Sequence, residues 1–126
     1  MKRKTRLKNL LKVAAEVVTS FDFDDTIRDS ITGELNKEIE KEIINAYSKG
    51  KVYLVTARQD TMGNRNFVLS YIIENNLKRY FDDLFFTGGL KYSKLLELKV
   101  NHHYDDNDFE IKEAEKRGIH CTRVVI

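Results

Sequence analysis

Short apolar runs alternate with amphipathic segments from residue 16 to residue 126, and this alternation constrains the fold more than any other feature. The apolar runs predict five strands, at about residues 17–23, 52–55, 84–87, 102–104 and 121–126. The segments between them predict helices over about 36–50, 64–76, 92–98 and 108–117, with Asn36 and Asp108 as N-caps and Gly50 and Gly118 as terminators. Residues 27–35 form a polar excursion typical of a hairpin. Such alternation predicts an α/β fold with a parallel sheet, helices on both faces and right-handed crossovers.

Size and composition indicate one ordinary globular domain. A chain of 126 residues has room for one core, and its 41% hydrophobic and 33% charged residues exclude a disordered or membrane-embedded chain. No apolar run approaches the roughly 20 residues of a membrane span, so we expect no membrane partner. The single Cys121 has no partner for an internal disulfide, which favours the cytoplasm. We expect a monomer or a weak homo-oligomer.

The basic charge is concentrated at the N-terminus. Residues 1–12 supply six positive charges, and removing these from the formal net charge of +2 leaves −4 for residues 13–126. Leucines at the spacing of one helix face predict a basic amphipathic helix over residues 1–15, ahead of a domain over 16–126. Three interpretations stay open: a solvated helix docked through its leucines, a contact with a nucleic-acid backbone, or a cleaved targeting peptide.

Two aspartates follow the first predicted strand. Asp22 and Asp24 are two residues apart, and on an extended backbone side chains at this spacing point the same way. Like charges that converge require a cation or a shared proton. A hard cation such as Mg²⁺ suits paired carboxylates, and phosphoryl chemistry is a common reason to hold one. The alternative is a solvated acidic turn.

Further polar residues follow the other predicted strands. Thr56 ends the second strand, Lys91 lies just past the third, and Asp105 and Asp106 end the fourth. Ligands of open parallel sheets bind at the carboxyl ends of the strands. The sequence therefore predicts one site to which several strands contribute.

Four segments together resemble the motifs of the haloacid dehalogenase (HAD) phosphohydrolase superfamily, and they occur in the family's order. They are Phe21–Ile27 with its D-x-D-x-T pattern, Val55–Arg58, the lysine Lys91 ahead of a short helix, and Tyr104–Asp106. The resemblance implies a three-layer α/β/α Rossmann-like fold with a five-stranded parallel sheet of order 5-4-1-2-3. It also brings the first and fourth strands, and hence Asp22 and Asp105, side by side.

The resemblance implies a role for each motif residue. Asp22 would be the nucleophile that forms an aspartyl-phosphate, and Asp24 the general acid and base. Thr56 and Lys91 would bind the phosphoryl group, with Lys94 as the rival lysine. Mg²⁺ would be bound by Asp22, the backbone carbonyl of Asp24 and Asp105, whereas Asp106 would either bind it through water or cap a helix. Arg58 would reach the leaving group of the substrate.

Four nearby residues are not expected to take part in the chemistry. We expect Thr26 to brace the loop after the first strand, and Asp25 stands where many family members have glycine. His102 and His103 lie on opposite faces of a short predicted strand, which favours packing over a transition-metal site.

The predicted crossovers leave no room for a cap domain, so the site would be open to a large substrate. The chain resembles, more loosely, the 3′-phosphatase domain of bacteriophage-type polynucleotide kinases. We therefore expect a Mg²⁺-dependent phosphomonoesterase acting on a nucleic-acid 3′ end or a nucleotide. The alternatives are a catalytically silent HAD-like binding or regulatory protein, and a phosphatase of another macromolecule or of a small metabolite. A receiver-type phospho-acceptor would need an aspartate after strand 3, where this sequence has Thr87.

Overall fold

Five parallel strands form one sheet in the order β3-β2-β1-β4-β5 in a computed structural model that describes residues 16–126. The strands are β1 (Val17–Phe21), β2 (Gly50–Thr56), β3 (Asp83–Phe86), β4 (His102–Asp105) and β5 (His120–Arg123). The helices are α1 (Lys37–Lys49), α2 (Met62–Glu74), α3 (Tyr92–Glu97) and α4 (Asp108–Glu115), with a 3₁₀ turn at Lys78–Tyr80. The predicted α/β fold and strand order are confirmed. The helix predicted over residues 1–15 lies outside the described residues.

The sheet separates two apolar cores. On one face, α1 and α2 pack against the sheet through side chains such as Ile43 and Ile72. On the other face, Leu95 of α3 and Ala114 of α4 pack against Val18. Because both faces are covered, the central strands are apolar along most of their length, as expected for a parallel sheet.

The first strand is shorter than predicted. It ends at Phe21 rather than residue 23, since the Phe23 carbonyl accepts hydrogen bonds from the amides of Thr26, Ile27 and Arg28 in a tight turn. Asp25 in this turn has a φ of 59°, the left-handed conformation that glycine adopts most easily. An antiparallel bridge then pairs Arg28 with Leu35 and closes the expected hairpin. The turn ends the strand's side-chain alternation just before Asp24.

Polar side chains cap three of the four helices in residues 16–126, and one cap differs from the prediction. The Asn36 side chain caps α1 as predicted, by accepting from the amide of Glu38. Thr61 caps α2, which starts two residues earlier than expected, and Asn107 rather than Asp108 caps α4. Asparagine and aspartate accept equally well at this position, so the sequence alone did not discriminate between Asn107 and Asp108.

Three helices end with the same local structure. Asn76, Lys99 and Gly118 follow α2, α3 and α4 in the left-handed conformation, with φ of 59°, 57° and 86°. The amide of the next residue, Leu77, Val100 or Ile119, donates to the carbonyl five residues back. These three apolar residues are buried. The arrangement is the Schellman motif, in which an apolar residue just past the helix joins the core.

Gly50 lies where α1 ends and β2 begins, directly opposite Val17 of β1. A Cβ atom at position 50 would lie 1.8 Å from the carbonyl oxygen of Val17. Glycine is therefore required here by the close approach of the two strands rather than by its backbone angles.

Candidate active site

A buried lysine links the first and fourth strands at the carboxyl edge of the sheet. The Lys91 Nζ donates to Asp22 Oδ1 over 2.8 Å and to Asp105 Oδ2 over 2.7 Å. Only 2% of Lys91 is exposed, and Asp22 and Asp105 are also buried. The hydroxyl of Thr26 donates to the other oxygen of Asp22 over 3.1 Å. Asp22 is thus held at both oxygens, and the predicted brace, Thr26, contacts it directly.

Three carboxylates lie close to one another at this site. Asp22, Asp105 and Asp106 each present an oxygen, and these oxygens lie within 4.8 Å of one another. Burial raises the pKa of Asp22 well above its ordinary value, and the charge of Asp105 adds to this, so that Lys91 only partly compensates. Burial also raises the pKa of Asp106. Ionised together, the three carboxylates would carry more negative charge than one ammonium group can balance, and the raised pKa values of Asp22 and Asp106 reflect this.

Asp105 and Lys91 are the charged pair within the cluster. Burial alone would raise the pKa of Asp105, but hydrogen bonds from His103 and Lys91 and the positive charge of Lys91 hold it well below its ordinary value. Burial opposes the charge of Lys91, yet the attraction of Asp22 and Asp105 raises its pKa above that of a free lysine. Lys91 is therefore protonated at neutral pH.

The donor set suits a hard divalent cation. Carboxylate oxygens are the ligands that Mg²⁺ prefers, and the three grouped carboxylates, when ionised beside one ammonium group, would leave a negative charge that a divalent cation would neutralise. The residues that would hold the ion are Asp22, Asp105 and Asp106. The backbone carbonyl of Asp24 remains a prediction.

The side chain of Asp24 does not converge with that of Asp22. Arg58 Nε donates to Asp24 Oδ2 over 2.8 Å, and Arg58 Nη2 donates to Asp24 Oδ1 over 3.0 Å. The Asp24 side chain is not among the three grouped carboxylates, which departs from the expected convergence, and a contribution of Asp24 to the metal site stays a prediction. The reason for the departure is the turn at Phe23, which ends the extended backbone on which that expectation rested.

Arg58 is itself held in place. Its Nη1 donates to Asn64 Oδ1 over 3.0 Å, and its guanidinium lies 4.9 Å from the ring centre of Phe67. Arg28 from the hairpin lies over the same ring at 5.0 Å, with its Nη1 3.9 Å from Asp24. Two guanidinium groups and an aromatic ring, 42% of whose residue is exposed, therefore flank Asp24. Guanidinium groups bind anions such as phosphate and stack on aromatic rings.

The remaining predicted residues have defined positions. Thr56 is buried at the end of β2, and its hydroxyl accepts the amide of Arg58 over 3.2 Å. Lys94 pairs with Glu97 over 3.1 Å and lies over the Phe85 ring, so Lys91 is the lysine that reaches the carboxylates.

Three buried polar residues belong to the site although the sequence did not single them out for it. The Ser20 hydroxyl lies 2.6 Å from His103 Nδ1, and His103 Nε2 lies 2.8 Å from Asp105 Oδ2. Glu110 of α4 accepts the backbone amide of Lys91 over 3.0 Å. Burial lowers the pKa of His103, which favours a neutral ring at pH 7. The sequence did contain one indication of these roles. Ser20 and Asp22, like His103 and Asp105, are two residues apart, a spacing that places side chains on the same face of a strand.

Comparison with known proteins gives little functional information. No family model matches the chain. The chain is 36% identical over 76 residues to an uncharacterized protein of Acanthamoeba polyphaga mimivirus, a match that covers 58% of this chain and 15% of the viral protein. The chain thus corresponds to a small part of that relative's length. None of the helices in residues 16–126 has the length and apolar character that crossing a membrane requires.

Proposed function

We propose that the protein is a Mg²⁺-dependent phosphomonoesterase of the HAD type that acts through an aspartyl-phosphate on Asp22. The observation that carries the proposal is the buried Lys91 bonded to both Asp22 and Asp105, with Asp106 beside them. Burying like charges is costly unless they are compensated. A bound cation would allow all three carboxylates to be ionised together, and their grouping therefore supports a function that uses a cation.

Asp22 would act as the nucleophile. Its oxygen would form a bond to phosphorus as the bond to the leaving oxygen breaks, and Asp24 would donate a proton to that oxygen. Water would then attack phosphorus, Asp24 would accept its proton, and the bond to Asp22 would break to release phosphate. Lys91 and Thr56 would offset the charge of the phosphoryl oxygens. When bound, Mg²⁺ would neutralise charge on Asp22 and on the phosphoryl group.

The pairing of Asp24 with Arg58 bears on the substrate. Both oxygens of Asp24 accept hydrogen bonds from Arg58, whereas a general acid must present an oxygen that carries a proton to the leaving group. Proton donation by Asp24 therefore requires Arg58 to give up at least one of these bonds. An anionic group next to the scissile ester would attract Arg58 and free Asp24. The 3′ end of an oligonucleotide offers both such a group, the preceding internucleotide phosphate, and an aromatic base that Phe67 and the two arginines can contact.

The access to Asp24 supports the same class of substrate. About a third of its side chain, 34%, is exposed. In residues 16–126, the segment between β1 and β2 contains only the hairpin and α1, and the segment between β2 and β3 contains α2 and a 3₁₀ turn. The proposed substrate is accordingly a nucleic-acid 3′ end or a nucleotide, hydrolysed in the cytoplasm by a monomer or weak homo-oligomer.

The test is phosphate release by purified wild-type protein and by Asp22→Asn, with p-nitrophenyl phosphate and a 3′-phosphorylated oligonucleotide. We expect Mg²⁺-dependent turnover by the wild type, its loss in EDTA, and a loss of at least about 10³-fold in Asp22→Asn, because the nucleophile is gone. Asp83→Asn, at an exposed position at the start of β3, is the matched control and should retain full activity.

Two outcomes would contradict the proposal. Full activity in Asp22→Asn would show that another group attacks phosphorus. No turnover by the wild type with Mg²⁺ on either substrate would favour a catalytically silent HAD-like protein, in which the closed Arg58–Asp24 pair is the resting structure.

A further inference from the structure

We infer that His103 and Ser20 are positioning residues that orient the Asp105 carboxylate so that a single oxygen, Oδ1, faces a divalent cation. The inference rests on the proposed function, because it assumes that Asp105 binds a cation. It concerns two side chains that need not touch substrate or ion. They act through Asp105 alone.

The two residues form a chain of hydrogen bonds inside the sheet. Ser20 on β1 and His103 on β4 are paired in the parallel register, and both are 0% exposed. The Ser20 oxygen lies 2.6 Å from Nδ1 of His103, and Nε2 lies 2.8 Å from Asp105 Oδ2. Both ring nitrogens therefore have a partner, as buried polar atoms require.

The partners determine where the protons lie. An ionised carboxylate only accepts hydrogen bonds, so the proton of the neutral ring must be on Nε2. Nδ1 is then an acceptor, and the Ser20 hydroxyl donates to it. The chain runs in one direction, from Ser20 through His103 to Asp105, and it selects one tautomer of the ring.

The donors around Asp105 leave one open position. Oδ2 accepts from both His103 Nε2 and Lys91 Nζ, whereas Oδ1 accepts from the amide of Asn107 over 3.0 Å. Each carboxylate oxygen has two lone pairs. Oδ2 is therefore saturated and Oδ1 retains one lone pair, which makes Oδ1 the atom available to an ion.

Replacing His103 with an apolar residue of similar size tests what its two ring nitrogens contribute. Leucine at position 103 would keep the side-chain volume in the sheet but would leave Oδ2 with Lys91 alone. The carboxylate could then rotate, and Oδ2 could compete for the ion. Hydrogen-bond partners of metal-binding carboxylates typically contribute about 10- to 100-fold in metal affinity.

The experiment is calorimetric titration of MgCl₂ alone into the wild type, His103→Leu, His103→Gln and His102→Leu. We expect His103→Leu to bind about tenfold or more weakly, and His103→Gln to stay within about threefold, since its amide nitrogen can donate from nearly the position of Nε2. His102→Leu is the matched control, because His102 lies on the opposite face of β4 and contacts Thr122. It should bind Mg²⁺ like the wild type.

The outcomes separate this inference from the proposed function. If the wild type binds no Mg²⁺, the proposed function fails, and the inference fails with it. If the wild type binds Mg²⁺ and His103→Leu binds it equally well, the inference alone is overturned. If His103→Gln is as weak as His103→Leu, ring packing rather than the donated hydrogen bond matters, and the inference is again wrong.

A measurement on the unaltered protein covers the case in which His103→Leu does not fold. Long-range ¹H–¹⁵N correlation spectra distinguish the two neutral tautomers of a histidine ring. We expect His103 to carry its proton on Nε2, with and without Mg²⁺. A proton on Nδ1 would leave Asp105 without this donor and would overturn the inference.

Discussion

Arg58 shows how a residue predicted for one role can occupy another position in the resting protein. The sequence suggested a contact with the leaving group, whereas the structure has Arg58 bonded to Asp24 through two parallel hydrogen bonds. The two positions are compatible if Arg58 exchanges Asp24 for an anionic group of the substrate. Such bidentate geometry is available to arginine but not to lysine.

We predict that Arg58→Lys lowers kcat/KM on a 3′-phosphorylated oligonucleotide but changes it little on p-nitrophenyl phosphate. The aryl leaving group needs little protonation and carries no second anion. On the oligonucleotide we expect a loss of about tenfold, part of the roughly 10²–10⁴-fold that a positioned general acid contributes. Affinity for Mg²⁺ should not change, because Arg58 pairs with Asp24 and not with the three grouped carboxylates.

The control is Arg65→Lys, which alters an exposed arginine that also pairs with an aspartate, Asp60. It should leave kcat/KM unchanged on both substrates. An equal loss on both substrates in Arg58→Lys would mean that Arg58 acts on the phosphoryl group itself.

At the scale of elements, the three Schellman motifs join helix ends to the core by a common device. In α4 the sequence has glycine at the left-handed position, and Gly118 was predicted to end that helix. Lys99 occupies the same position after α3 at a φ of 57°. A residue with a Cβ atom is strained there, and the burial of Val100 against Leu95 holds the backbone in place.

We predict that Lys99→Gly stabilises the protein by about 1 kcal/mol, because glycine adopts the left-handed conformation without steric cost. Lys99→Ala removes the same side chain but keeps the Cβ atom, so its free energy of unfolding should lie within about 0.5 kcal/mol of the wild type. Urea denaturation of the three proteins measures the difference. Equal stabilisation by alanine and glycine would assign the effect to the lysine side chain rather than to the backbone.

The sequence predicted the elements better than the contacts between them. Strand order was available from the resemblance, and the residues after β1, β2 and β4 indicated where the site would lie. The direction of the Asp24 side chain could not be predicted, because it depends on a turn. That turn is held by the Phe23 carbonyl and by packing of the Phe23 ring against Phe67 and Tyr71. The role of His103 in the site was missed because alternation along a strand predicts which face a side chain occupies. It does not predict which side chain of the neighbouring strand will be its partner.

For the molecule as a whole, the buried carboxylates set a conflict between stability and ion binding. A carboxyl group whose pKa is raised in the folded state binds protons that the unfolded state has already lost. Stability then falls as the pH rises from the ordinary pKa of the group toward its folded value. Asp105 behaves in the opposite way, since its pKa is lowered and its contribution is lost only in acid.

We predict that, in EDTA, Asp22→Asn unfolds at a higher urea concentration than the wild type at pH 8. The advantage should shrink as the pH falls through the raised pKa of Asp22 toward its ordinary value, because the wild-type carboxyl group then takes up its proton. Because both proteins contain the same histidines, their difference isolates Asp22. Mg²⁺ at a hundred times its Kd should stabilise the wild type by about 2.7 kcal/mol and Asp22→Asn by less. A pH-independent difference between the two proteins would contradict this explanation.

The contact between Gly50 and Val17 has a consequence for reading inactive variants. A side chain at position 50 would force apart β1 and β2 at the edge of the sheet opposite Asp22, which lies five residues further along, roughly 16 Å at the rise of a strand. In a random screen for lost activity, substitutions at position 50 would therefore be recovered together with substitutions of the residues proposed to bind phosphate. Such a hit would report the spacing of two strands and not a remote contact with the ligand.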